Sequence, residues 1–210
     1  MRLQKLDEQN LPDHHYLDAT DECYYISEYT PRQGPHYSNT NDLIINLKKP
    51  VDRIGRPEYR YKIQAIHISS ETLRSVIAEE FVSLAMWIPV PSSKTKNDPL
   101  YDDRIVQILE RLGRGRECNI RDLVIQTSNL ESFHDGSRLS PDELLRHYQI
   151  DESLCVGGPP PVVAIFDDIL TTGSHFKAVS TLVRSRWPQT RIVGIFLARR
   201  YIPRSGMELV

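Results

Sequence analysis

Residues 162–166, Val-Val-Ala-Ile-Phe, are apolar without alternation and give way at once to Asp167 and Asp168. A run of this kind predicts a strand buried on both faces, as at the centre of a parallel sheet, with the two carboxylates where the strand emerges. Residues 171–175 then read as a short turn, opening an amphipathic helix over 174–186. Further apolar runs predict core strands over 81–90 and 191–198 and a short one over 123–126, with a helix over 98–112 between the first two. Residues 23–30 are rich in β-forming residues and end in a turn at 31–35. Leu43, Ile44 and Leu47, then Ile63, Ile66, Leu73, Val76 and Ile77, recur at helical spacing and predict helices over 39–48 and 61–77. The first twenty residues are polar and aperiodic and read as an arm, with the pair His14 and His15 expected in solvent. Alternating strand and helix signals of this kind imply an α/β fold with a mainly parallel sheet flanked by helices.

Between 127 and 154 the connection is long, holding Gly136, Pro141 and a short helix expected over 140–147. A crossover of that length beside a ligand site reads as a lid. Its arginines and histidines are His134, Arg138, Arg146 and His147, none at a spacing that assigns it a role.

Composition narrows the field. The 210 residues carry a formal net charge of −2, which gives no electrostatic case for nucleic acid or an anionic membrane. No apolar run approaches the ~20 residues of a membrane helix, and the first ten are too polar for a signal peptide, so the expectation is a cytoplasmic protein without a membrane partner. Three scattered cysteines, Cys23, Cys118 and Cys155, suggest neither a disulfide framework nor a structural zinc. Phosphate-loop, dinucleotide, zinc-protease and nucleophile-elbow motifs are missing from the sequence.

The chemistry concentrates at 167–175. Thr171, Thr172 and Ser174 bring hydroxyls, Gly173 lets the backbone approach an anion, and His175 adds a ring donor at the start of a helix whose dipole favours negative charge. Carboxylates beside such a turn suit a phosphorylated sugar, one accepting from ribose hydroxyls and the other orienting a cation or base. A second anion-binding turn, Ser92, Ser93 and Lys94, follows the 81–90 strand and is a candidate for diphosphate.

The stretch Asp167-Asp168-Ile-Leu-Thr-Thr-Gly resembles the phosphoribosyl diphosphate (PRPP) signature of the type I phosphoribosyltransferases. His175 stands where that family usually has Thr. The order of Pro89-Val90-Pro91, residues 127–146, 167–173 and Leu197-Ala198-Arg199 resembles the ComF branch of the same fold. The resemblance implies a core over 80–200, a small N-terminal α+β cap with its arm over 1–79, and a tail over 201–210. It assigns Asp167 and Asp168 to the ribose as catalytic residues, 171–175 to the 5′-phosphate, Ser92, Ser93 and Lys94 to the diphosphate, and Mg²⁺ to the PRPP, with no metal held by the chain itself. Two functions follow from it. One is a regulatory module that binds PRPP or a nucleotide and partners a RecQ-like or ComF-associated helicase, in DNA uptake or as an antitoxin in phage defence. The other is a Mg²⁺-dependent transferase acting on a nucleobase or amine. A homo-oligomer remains open under both.

Overall fold

Because residues 162–166 have no polar face, both sides of that strand have to be covered, and in the computed structural model, which describes residues 2–130 and 139–203, they are. In chain order the elements are β1 (Gln4–Lys5), β2 (Glu22–Tyr29), α1 (Asn39–Leu47), α2 (Arg60–Val76), α3 (Glu79–Leu84), β3 (Ala85–Pro89), α4 (Arg104–Leu112), β4 (Asn119–Ile120), β5 (Val124–Gln126), α5 (Pro141–Leu145), β6 (Tyr148–Ile150), β7 (Val162–Leu170), α6 (Ser174–Arg186) and β8 (Arg191–Arg200). The main sheet runs β1-β2-β8-β7-β3-β4. β2 pairs with β8, β8 with β7, β7 with β3 and β3 with β4 in parallel, while β1 joins antiparallel. β5 and β6 form a separate antiparallel pair.

Alternate residues of β7 serve two cores. Val163 and Ile165 belong to one with Phe176, Val179 and Val183 of α6, and Val162, Ala164 and Phe166 to the other with Leu47, Ile66, Leu73, Ile108 and Leu112 of α1, α2 and α4. Burying side chains of this size contributes about 1.5–3 kcal/mol each. The carboxyl edge of β7 is therefore clamped between two packed layers.

Several boundaries depart from the pattern in the sequence. β7 continues to Leu170, with Asp167 opposite Phe196 and Leu170 opposite Arg199, so the acid pair lies within the paired strand rather than beyond its end. Parallel pairing with β8 carries β7 this far, because β8 itself runs two residues past the expected 198. The expected strand over 81–90 divides into α3 and β3. Glu79 and Glu80 sit in the first turn of α3, where carboxylates favour a helix, and an apolar run without a period does not distinguish buried helix from strand. The helix expected from 98 starts at Arg104, because the Asp98 side chain accepts from Leu100 N–H at 2.7 Å and holds a turn around Pro99. The helix expected over 140–147 forms as α5, opened by a reciprocal Ser140–Glu143 capping box.

The N-terminal portion is built into the main sheet through β2, so that sheet spans the expected boundary at 79/80. The arm is likewise fixed. β1 pairs with β2, and His14, expected in solvent, is fully buried because its Nδ1 meets the carbonyl of Thr171. His134, Arg138 and the tail beyond 203 lie outside the described residues.

Candidate functional site

Side chains alternate along a strand, so consecutive acids on β7 face opposite layers. Asp168 points to the α1, α2 and α4 side and is buried there. Lys48, just past the end of α1, places Nζ 3.0 Å from its Oδ1, and Arg104, the first residue of α4, donates to Oδ2 from Nε at 2.9 Å and Nη2 at 2.8 Å. Burial alone would raise the pKa of Asp168, but Lys48 and Arg104 outweigh it and hold the carboxyl well below its ordinary range. Arg104 also donates to Asp102 Oδ2 at 2.7 Å, and the same oxygen accepts from Lys62 Nζ at 2.7 Å. Lys62 is 2% exposed.

Asp167 faces the other layer. It is half-buried, its Oδ1 accepts from Asp168 N–H at 2.7 Å, and no cation lies within ion-pair distance of it among the described residues. Burial first, and the charge of Asp168 second, push its pKa up. On the same side Tyr148 of β6 shares a 2.7 Å hydrogen bond with His175 Nδ1. Burial, and then the charge of Asp167, raise the pKa of the Tyr148 hydroxyl, so it stays protonated.

The turn before α6 has a firm backing. Gly173 adopts φ 87°, a left-handed conformation that suits glycine, and a Cβ there would stand 2.5 Å from Leu17 Cγ. Tyr16 N–H donates to Thr172 O at 3.0 Å, and Lys177 holds Asp18 and Asp21 at 2.8 and 2.7 Å, so the arm lies against the back of the turn. Burial is the main influence lowering the pKa of His14, with the Thr171 carbonyl opposing it.

These elements enclose a cavity of about 540 Å³ at the carboxyl edge of β3 and β7. Its walls bring together Ser92, Ser93, Lys94, Asp167, Asp168, Thr171 and His175, with Lys48 and Arg104 beside them. Thr172 and Ser174 are buried behind this surface, the Thr172 hydroxyl donating to Ser174 Oγ at 3.3 Å. The Ser92–Lys94 turn is tied down by Leu130 N–H donating to Ser93 O at 2.9 Å and Thr95 N–H donating to Asn129 Oδ1 at 2.8 Å. Arg146 is exposed, and His147 accepts or donates at Nδ1 with Ser128 Oγ at 2.7 Å, away from the cavity wall. A second cavity, about 560 Å³, lies against α1 and α2 and contains none of the expected site residues.

The sequence reading missed Lys48, Arg104, Lys62 and Tyr148. A signal existed for Lys62 alone: it shares the stripe of Ala65, Ile66, Ser69 and Leu73 on α2, where a lysine is out of place unless it has partners. Chemically, the cavity offers Thr171, His175 and the start of α6 to one anion and Ser92, Ser93 and Lys94 to another, with the half-buried carboxyl of Asp167 in the same wall to accept from hydroxyls.

No family model matches the chain, and no curated protein does. Among solved structures, a hypoxanthine phosphoribosyltransferase from Staphylococcus aureus matches with 15% identity and a TM-score of 0.39, covering 65% of this chain and 72% of that one. So slight a likeness adds no weight to the geometry. Among the described residues no helix is long and apolar enough to cross a membrane.

Proposed function

We propose that the protein has a type I phosphoribosyltransferase-like fold and binds a 5-phosphorylated ribose, as PRPP or a nucleoside 5′-phosphate, in the cavity at the carboxyl edge of β3 and β7. The observation that carries this reading is that Ser92, Ser93 and Lys94 line one cavity of about 540 Å³ together with Asp167, Thr171 and His175, although Ser92 and Thr171 are 79 residues apart. In it the 5′-phosphate takes the turn at the start of α6, the ribose hydroxyls donate to Asp167, and the second phosphate group takes Ser92, Ser93 and Lys94.

Within this reading we favour a ligand-binding module over a transferase. A transferase of this kind stabilises a developing ribose cation with free carboxylate charge, whereas Asp168 is already neutralised by Arg104, which donates twice to Oδ2. The transferase reading keeps one supporting observation, Asp167, which faces the cavity with no cation paired to it among the described residues. A helicase partner, whether of the ComF or RecQ-associated kind, rests on the sequence resemblance alone.

Diphosphate release from PRPP, screened across nucleobases and amines beside calorimetric titration of PRPP, separates the two. Binding without release is the expected result. Base-dependent release that Asp167→Asn removes would establish the transferase, and absence of PRPP binding at millimolar concentration would overturn both.

A further inference from the structure

The cations around Asp168 form an ordered chain rather than a scatter of surface pairs. Lys62 has three N–H donors, and all three are committed: to Leu47 O at 2.8 Å, to Lys49 O at 2.9 Å and to Asp102 Oδ2 at 2.7 Å. The two carbonyls flank Lys48 on either side. The carboxylate is the one that fixes Arg104 through Nη1. One buried ammonium thus sets the position of both cations that reach Asp168.

A chain-held Mg²⁺ does not fit this arrangement. Magnesium needs near-octahedral oxygen ligands at about 2.0–2.1 Å, and at Asp168 it would have to displace the Lys48 ammonium and sit beside the Arg104 guanidinium, which leaves Asp167 as the one cavity carboxyl without a paired cation among the described residues. Within this network three cations, Lys48, Lys62 and Arg104, meet two carboxylates, Asp102 and Asp168, and of the three only Lys48 is well exposed. Lys48 is the exposed member. Its side chain is 43% exposed and lines the cavity, while Arg104 holds Asp168 through two donors and does not depend on it.

We infer that the chain supplies its own counter-cation for the ligand's diphosphate: Lys48 turns from Asp168 to a phosphate oxygen, Arg104 keeps Asp168 neutralised, and Lys62 is the positioning residue for both, so that ligand binding does not require Mg²⁺. This rests on the PRPP-binding reading and assigns the diphosphate half of that ligand. Transfer of Lys48 leaves the Asp168–Arg104 pair intact, and the ammonium exchanges one oxyanion for another with no change in net charge on the protein.

The test is calorimetry on the full chain with two probes, inorganic diphosphate and ribose 5-phosphate, each in EDTA and in millimolar Mg²⁺. The wild type is expected to bind diphosphate in EDTA within about twofold of its affinity in Mg²⁺. Lys48→Gln is expected to lower the ratio of diphosphate to ribose 5-phosphate affinity by about tenfold, the loss of one charge-assisted contact, and Lys48→Arg to restore most of it. Lys62→Met, measured on folded protein, should lower the same ratio, which a loss of stability alone would not do. Diphosphate binding that appears only with Mg²⁺, no diphosphate binding in either buffer, or an unchanged ratio in Lys48→Gln would each overturn the inference. Diphosphate binding without ribose 5-phosphate binding would support the cation assignment while overturning the phosphoribosyl reading.

Discussion

Asp167 and Asp168 are neighbours on one strand, yet they live in opposite electrostatic worlds. Asp168 faces α1, α2 and α4 and is bound by Lys48 and Arg104, whereas Asp167 faces the α6 layer near Tyr148 and His175 with no cation paired to it among the described residues. The pair resembles a sugar-binding motif in sequence, but the fold uses one acid as the keystone of an ion network and presents the other to the cavity. Residue type at a motif position therefore fixes which chemistry is available, while the layer a side chain faces decides whether that chemistry is spent on structure or kept for a ligand.

The largest effect expected from breaking this contrast is on the structural side. Asp168→Ala leaves Arg104 and Lys48 without their shared partner beneath the sheet edge, and removing one member of a buried ion network costs about 3–5 kcal/mol. Lys48 is well exposed and rehydrates, so the lower end of that range is expected in urea unfolding. A loss below about 1 kcal/mol would show that the network is incidental.

Next in size is the backing of the turn. Gly173→Ala forces a Cβ into Leu17 and a left-handed φ on an L side chain, and about 2 kcal/mol of destabilisation is expected. Leu17→Ala in the same background should recover the steric part. Failure of that rescue would mean that backbone strain alone accounts for the cost.

The smallest effect, and the one that sharpens the comparison most, is in pH. The pKa of Asp168 is lowered in the fold, so its stabilisation is present above the unfolded value of about 3.9 and is lost as pH falls toward the folded value. The pKa of Asp167 is raised, so its contribution is full below the unfolded value and is lost as pH rises through the folded one. Asp167→Asn, neutral throughout, should therefore gain on the wild type as pH rises from 4.5 to 8, by an amount on the order of 1 kcal/mol. Chemical unfolding at the two pH values measures it, and a gap that widens toward acid would reverse the assignment of the two acids.

Most of the fold was legible in the sequence because its strands are buried on both faces. The run 162–166 could be little else than a central strand, and α6 begins and ends at the residues its pattern implied. The division of 81–90 was not legible, since an apolar stretch without a period carries no information about which element it forms. At the site, the turn at 171–175 and the acid pair were readable as a motif, but their partners were not. Arg104 lies 64 residues from Asp168, and nothing in its local sequence marks it as the residue that neutralises a carboxylate. The arm was misread for the same reason: His14 is buried by a carbonyl 157 residues away, and its polar neighbours gave no hint of that contact.

Under the proposed function a phosphorylated ribose occupies the cavity lined by Ser92, Ser93, Lys94, Asp167, Thr171 and His175. Backbone amide chemical shifts during titration with ribose 5-phosphate test it most directly. The largest shifts are expected on residues 171–176, with Asp167 and Tyr148 following at the same ligand concentration. Shifts that leave 171–176 unmoved and cluster instead around Leu43, Tyr61 and Ile68, at the second cavity, would contradict it.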